Sequence, residues 1–331
     1  MYHCPAVTDD RYLDSGSDES TSFTSGSPCG SAPDTIAEPT MSLSHTFTAA
    51  DSDQRRPPAD TAFITGDLTV FYVDEATLIE ASNNGFGGVL PLEQKNATQR
   101  VVPLSELTSY ELHVILQSVY NPILDDFIWK SPICHSTLQI VVQGIDLMPH
   151  YGINPRTCIK QYSHLSKYLL TCSPIYPLDI YALAAYHDME DIAIAASSHM
   201  LMLDPSIIDA TTVSRIGPSY FRRLNDLHQT RKSILTQLLM TEPALHNLTK
   251  RCTFQDQQAL RDGWNRGIVK IMKDMKAGVP TSLIRQQILE ETTDIHCKDC
   301  IKARNARLDA VCTEWSITSV SAFAMMVESL N

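Results

Sequence analysis

The chain has 331 residues, 43% of them hydrophobic, and a formal net charge of −12. Its length carries a prior of about two domains, and its apolar fraction is ordinary for a protein with a sizeable core. Lys and Arg cluster no further than pairs such as Arg55-Arg56, Arg222-Arg223 and Arg231-Lys232, which argues against a phosphate-binding footprint and so against direct nucleic-acid recognition.

Residues 1–58 are rich in Ser, Thr, Asp, Pro and Gly, with an acidic cast from Asp9-Asp10, Asp14, Asp18-Glu19, Asp34 and Glu38. Such a stretch cannot bury enough apolar area to offset the entropy of ordering it, so a disordered acidic Ser/Thr-rich tail is expected. Ser15 to Ser22, set among acidic residues, are candidate kinase sites. No basic-then-apolar leader opens the chain, and no apolar run approaches the roughly 20 residues of a membrane helix, which predicts a cytoplasmic or nuclear protein with no membrane partner. Most of the nine cysteines should then be reduced thiols in the core.

Phe63-Ile64 and Val70 to Val73 read as two short strands joined by a turn at Gly66-Asp67, because Gly accepts positive φ at no steric cost. Ala76, Leu78, Ile79 and Ala81 fit one buried face of a short helix that stops near Asn83-Asn84-Gly85. Gly85-Phe86-Gly87-Gly88 is a turn rather than a phosphate loop, since no helix-opening Gly-Lys-Ser/Thr follows. Arg100 to Pro103 suits an edge strand, where Pro is tolerated. Ser109 is the expected N-cap of a helix carrying Leu112, Ile115, Leu116 and Val119 at core spacing, closed at Tyr120-Asn121-Pro122. A further helix is predicted over Ser136–Leu147, with Leu138, Val141, Val142, Ile145 and Leu147 buried.

From 151 onward the pattern is helical throughout. Pro155-Arg156 opens a helix with Tyr162, Leu165, Leu169 and Leu170 on one face; Pro177 opens another with Ile180, Leu183, Ala184 and His187. An Ala-rich helix covers 192–200, and Gly217-Pro218 starts one bearing Tyr220, Phe221, Leu224, Leu227, Ile234 and Leu238. Three more follow: one from the capping-box-like Thr253 to Asp256, one from Pro280, and one from about Cys297 that places Leu308, Val311 and Trp315 inward.

Asp60, the Gly66-Asp67 turn, Phe71-Tyr72-Val73 and the Ala81-Ser82 pair before Phe86 together resemble the opening of a BTB/POZ domain. The run Ala81-Ser82-Asn83-Asn84-Gly85-Phe86-Gly87-Gly88-Val89-Leu90-Pro91 resembles a variant carried by a fungal branch of that family. Asp74-Glu75 stand where BTB domains commonly have His-Lys. The spacing Cys252…Trp264…Cys297-x-x-Cys300…Leu308…Trp315 is similar to the branch's C-terminal pattern, so the resemblance spans about 60–318. It implies an α+β fold, with a BTB/POZ-like domain over 60–148 and an α-helical region over 151–331. It further implies a non-enzymatic interaction module or adaptor, working by self-association or by docking onto a protein partner such as a cullin-type scaffold. The alternatives are a transcriptional regulator that relies on a DNA-binding partner, and a small zinc-binding helical protein.

No set of residues in the order or spacing of a nucleophile and its base picks itself out, and no catalytic residue is nominated. The sharpest chemical candidate is His296-Cys297-x-x-Cys300, with Cys252, His246 and Cys312 as candidates for further ligands. One Zn²⁺ needs four N or S donors, and no second Cys-x-x-Cys is present. Cys297 and Cys300 are therefore expected to be small core residues near a helix start, with Zn²⁺ held by Cys252, Cys297 and Cys300 as the alternative. Leu235-x-x-Leu238-Leu239 matches a coactivator-type box, but at helical spacing it reads as core.

Overall fold

The computed structural model describes residues 41–49, 57–91, 100–120, 133–161 and 163–328. The fold is α+β, a small mixed sheet beside a larger helical body. Four strands, β1 (Ser42–Leu43), β2 (Thr61–Thr65), β3 (Thr69–Val73) and β4 (Arg100–Leu104), lie in the order β1-β3-β2-β4. The predicted hairpin is present, with Phe63 opposite Phe71 and Ala62 opposite Tyr72. Gly66 is required at its turn because a Cβ there would sit 2.4 Å from the Ser105 carbonyl oxygen. β4 runs parallel to β2 on one edge, where the missing N–H of Pro103 leaves the interior pairing intact.

The other edge departs from expectation. Most of the predicted tail lies outside the described residues, but Ser42 and Leu43 pair in parallel with Thr69 and Val70. Phe47 is completely buried, with its ring 5.9 Å from that of Phe71 and 5.7 Å from that of Tyr120. One aromatic in a polar run thus recruits its neighbours to the sheet, an effect that average composition conceals.

Helix α1 (Glu75–Ala81) is capped by Asp74, whose carboxylate accepts from the Thr77 N–H at 2.8 Å. Its buried face is not the predicted one: Leu78 is buried, but Ala76 and Ile79 are exposed and Glu75 turns inward. The cause is an ion pair between Glu75 and Arg100 of β4, which fixes the helix rotation. Helix α2 (Ser109–Val119) is capped by Thr108 rather than Ser109, in a reciprocal box with Glu111. Ser109 instead donates its N–H and hydroxyl to Asp67 (3.1 and 2.6 Å), tying the helix to the hairpin turn. Leu112, Ile115 and Leu116 are fully buried as predicted. The expected closure at Asn121-Pro122 lies outside the described residues.

Helix α3 (His135–Leu147) crosses α2 where Gly144 meets Val114; a Cβ on Gly144 would lie 2.6 Å from that of Val114. Leu138, Val141 and Ile145 of α3 are buried, Val142 and Leu147 only partly. Pro155–Cys158 makes a single turn, and the helix expected to continue from it restarts as α4 (His164–Cys172), because Ser163 accepts from the Ser166 N–H and caps a new start. Leu170 of α4 is 39% exposed, off the core face. Helices α5 (Pro177–Tyr186) and α6 (Glu190–His199) follow. Helix α7 (Ala210–Met240) is broken at Gly217 (φ +75°, ψ 160°), so Pro218 begins its second segment as predicted. The three final helices, α8 (Phe254–Lys273), α9 (Thr281–Glu291) and α10 (Lys298–Glu328), begin where the caps and Pro280 place them.

One apolar cluster runs from Phe47 to Leu224, and Met148, Tyr151 and Ile153 carry it across the junction near 150. A second gathers Leu235, Leu239, Trp264, Ile268, Ile284, Ile288, Leu308 and Trp315. The apparent coactivator box is therefore packing, with Leu235 and Leu239 fully buried. Among the described residues no helix is long and apolar enough to cross a membrane.

Candidate metal centre

Two helix starts and one extended segment converge beside the second cluster. The segment after α7 brings His246 in, and Gln257 holds it by donating to its carbonyl oxygen at 2.7 Å. Thr249 and Cys252 exchange both backbone hydrogen bonds (3.0 and 3.2 Å), a tight turn that aims the Cys252 thiol inward just before the Thr253 cap of α8. Cys297 stands immediately before α10, and its carbonyl accepts from Ile301 in the first turn. Cys300, one turn on, faces the same side as Cys297, as positions i and i+3 of a helix do. Leu245, Leu260, Ile295 and Ile301 surround the group.

His246, Cys252, Cys297 and Cys300 each present one donor atom, and all four atoms lie within 4.8 Å of one another. Cys252 Sγ is 3.6 Å from Cys300 Sγ, and His246 Nε2 is 3.4 Å from both Cys297 Sγ and Cys300 Sγ. A tetrahedral zinc ion with ordinary bond lengths spaces its donors by about 3.8 Å between sulfurs and about 3.6 Å between sulfur and nitrogen. The three spacings are within about 0.2 Å of that tetrahedron, and the rest of the set lies within 4.8 Å. The outer contact fits as well: His246 Nδ1 lies 2.7 Å from the Asn247 carbonyl oxygen, which fixes Nδ1 as the N–H and turns the Nε2 lone pair to the thiols.

The electrostatics divide the thiols. Backbone N–H groups of Cys300 and Asp299, at the start of α10, stabilise the Cys297 thiolate and pull its pKa down to about 7. Burial pushes Cys300 up to about 12 and raises Cys252 too. One thiolate is thus at hand near neutral pH, and a metal ion would displace protons from the other two. Four protein donors would complete a tetrahedral shell around such an ion with no open position, the arrangement of a structural rather than a catalytic site.

The three sequence-predicted ligands Cys252, Cys297 and Cys300 come together, and of the further candidates only His246 joins them. Cys312 is buried in the second cluster with its thiol 3.9 Å from the Thr281 carbonyl oxygen, and His296 is exposed. The expectation of plain core thiols describes the burial of Cys252 and Cys300 but not the convergence on His246. Among the other histidines, His187 is buried and lies 2.8 Å from Asp146 through Nε2, a satisfied core residue. No protein-family model, no curated protein and no solved structure matches the chain.

Proposed function

We propose that the chain is a non-enzymatic protein-interaction module of the BTB/POZ kind, self-associating through the β1 edge of its sheet, with a structural zinc ion closing its C-terminal helices. The observation that carries the interaction reading is a groove of about 530 Å³ along β1, lined by Leu43, His45, Phe71, Ser109 and Tyr110 among others. Met41, Leu43 and Tyr110 stand 60%, 62% and 53% exposed beside it, the apolar character that marks a docking surface. A second copy is the occupant we favour. β1 is a two-residue strand at the rim of the sheet, and an edge strand meets the same edge of another copy in a closed two-fold pair. The closed His/Cys donor set supports a stabilising metal over a catalytic one.

Molecular mass and metal content in solution test both halves of the proposal. The wild type should be a dimer carrying one zinc per chain, and the double variant Leu43→Asp, Tyr110→Asp should be a monomer that keeps its zinc. A wild type that stays monomeric at high concentration overturns self-association and leaves an acidic-tolerant partner such as a cullin-type scaffold as the occupant. A folded protein that takes up no zinc removes the structural ion.

A further inference from the structure

Arg231 on α7 is a deeply buried charged residue, only 2% exposed. A buried guanidinium needs partners for its donors, since leaving them unpaired costs more than replacing the residue by an apolar one. Its Nε donates to the Ala277 carbonyl oxygen at 2.7 Å, and its plane lies over the Trp315 ring, 4.2 Å from the centroid. Nη1 has no hydrogen-bond partner, and among the described residues no carboxylate pairs with the side chain. Nη1 is therefore held in place without a hydrogen-bond partner.

Arg231 and Trp315 line a cavity of about 300 Å³, together with His199, Met202, Gly278 and Thr281. Pro280 and Thr281, on its wall, begin α9, and no side chain caps that helix. The start of an eleven-residue helix adds partial positive charge to the side of the cavity where α9 begins. Val279 and Leu201 supply apolar wall. The cavity lies apart from the metal quartet, none of whose residues line it.

We propose that this cavity binds a small organic anion, a carboxylate or a phosphate monoester, which takes the Nη edge of Arg231 end-on and lies against the start of α9. The indole of Trp315 holds the guanidinium plane, so the fork is oriented before the anion arrives and little side-chain entropy is lost on pairing. The size and the mixed wall suit a molecule of a few carbons better than a bare inorganic ion.

The test is calorimetric titration of the full chain with sodium acetate, sodium benzoate and phenyl phosphate, against sodium chloride at equal ionic strength. Saturable binding of a carboxylate or of the phosphate ester is expected, and which of them saturates identifies the headgroup. Arg231→Lys should bind about tenfold more weakly, the equivalent of one charge-assisted hydrogen bond, and Arg231→Met should not bind. Met202→Trp, at the exposed rim, should block binding while leaving Arg231 in place, and it serves where Arg231→Met fails to fold. Binding no stronger than that of chloride for all three probes overturns the proposal, as does a folded Arg231→Met or Met202→Trp that binds like the wild type.

Discussion

The core running from Phe47 to Leu224 takes in the sheet and every helix from α1 to α6, whereas the core from Leu235 to Trp315 rests on the end of α7 and three further helices. The first closes mainly by apolar contact and also holds buried polar groups, among them Glu75 paired with Arg100 and His187 paired with Asp146, besides the Tyr120 hydroxyl on the Asp74 carbonyl at 3.0 Å. The second gathers fewer apolar side chains around polar ties of its own. Each of its tryptophans donates Nε1 to a backbone carbonyl, Trp264 to Leu239 at 3.0 Å and Trp315 to Val279 at 2.7 Å. Arg231 lies between the tryptophan and the α8–α9 loop, and the His/Cys quartet sits at the far end. A small core has less apolar area to draw on, so each such tie weighs more in it.

On the proposed zinc site, the largest effect should come from emptying it. Cys300→Ser, or chelation of the wild type, is expected to abolish zinc binding and to cost about 4–5 kcal/mol, in the class of lost metal sites. Hydrogen exchange should localise the loss to the first turns of α8 and α10 while β2 and β3 stay protected. Uniform loss across the sheet would show that the two cores do not differ in the way described. Trp264→Ala should cost about 3–5 kcal/mol by urea unfolding. Leu116→Ala, at an equally buried site of the larger core, falls in the lower-reaching range of about 2–5 kcal/mol. Gly144→Ala drives a methyl into Val114 and should cost about 1–3 kcal/mol through overpacking, without altering zinc content.

The smallest effect belongs to acid. Burial alone would raise the Asp146 carboxyl, but hydrogen bonds with His187 and Arg215 outweigh it and hold the folded pKa below the usual value. The unfolded value is about 3.9, so this contribution is complete above it and disappears as pH falls through the lower folded value. Asp146→Asn should therefore lower stability at neutral pH and flatten the stability curve between about pH 5 and pH 2. An unchanged curve would show that the tie contributes nothing to the larger core.

Much of this architecture was legible because it is written in local chemistry. Thr253 with Asp256, Pro177, Pro280 and the Gly217-Pro218 break are punctuation that works without tertiary context. The rotation of α1 was not legible, since it depends on Arg100, 25 residues after Glu75, arriving beside it. β1 was hidden for a similar reason: its signal is the single Phe47, whose partners come from β3 and α2. At the metal centre the Cys-x-x-Cys pair and Cys252 were visible, and Cys312 could have been set aside from the sequence. A helix starting near Cys297 carries Cys312 about 18 Å along its axis from Cys300. His246 had no such criterion, because it lies in an extended segment whose course is fixed by Gln257. Arg231 did carry a sign, since it falls on the i, i+3, i+7 stripe of Leu224, Leu227, Leu235 and Leu239, but its charge argued against reading that position as buried.

The break at Gly217 makes α7 a lever arm. From Pro218 to Met240 the second segment is a rod of about 34 Å, with Leu224 in one core and Leu235 and Leu239 in the other. A change of about 10° in its heading would sweep the far end through about 6 Å, more than a full helical turn. Gly217 holds a backbone conformation that side-chain-bearing residues rarely adopt, yet nothing lies within 4 Å of where its Cβ would be. A side chain there would meet no wall, so its cost would be backbone strain alone, borne at the joint that sets the heading of the rod.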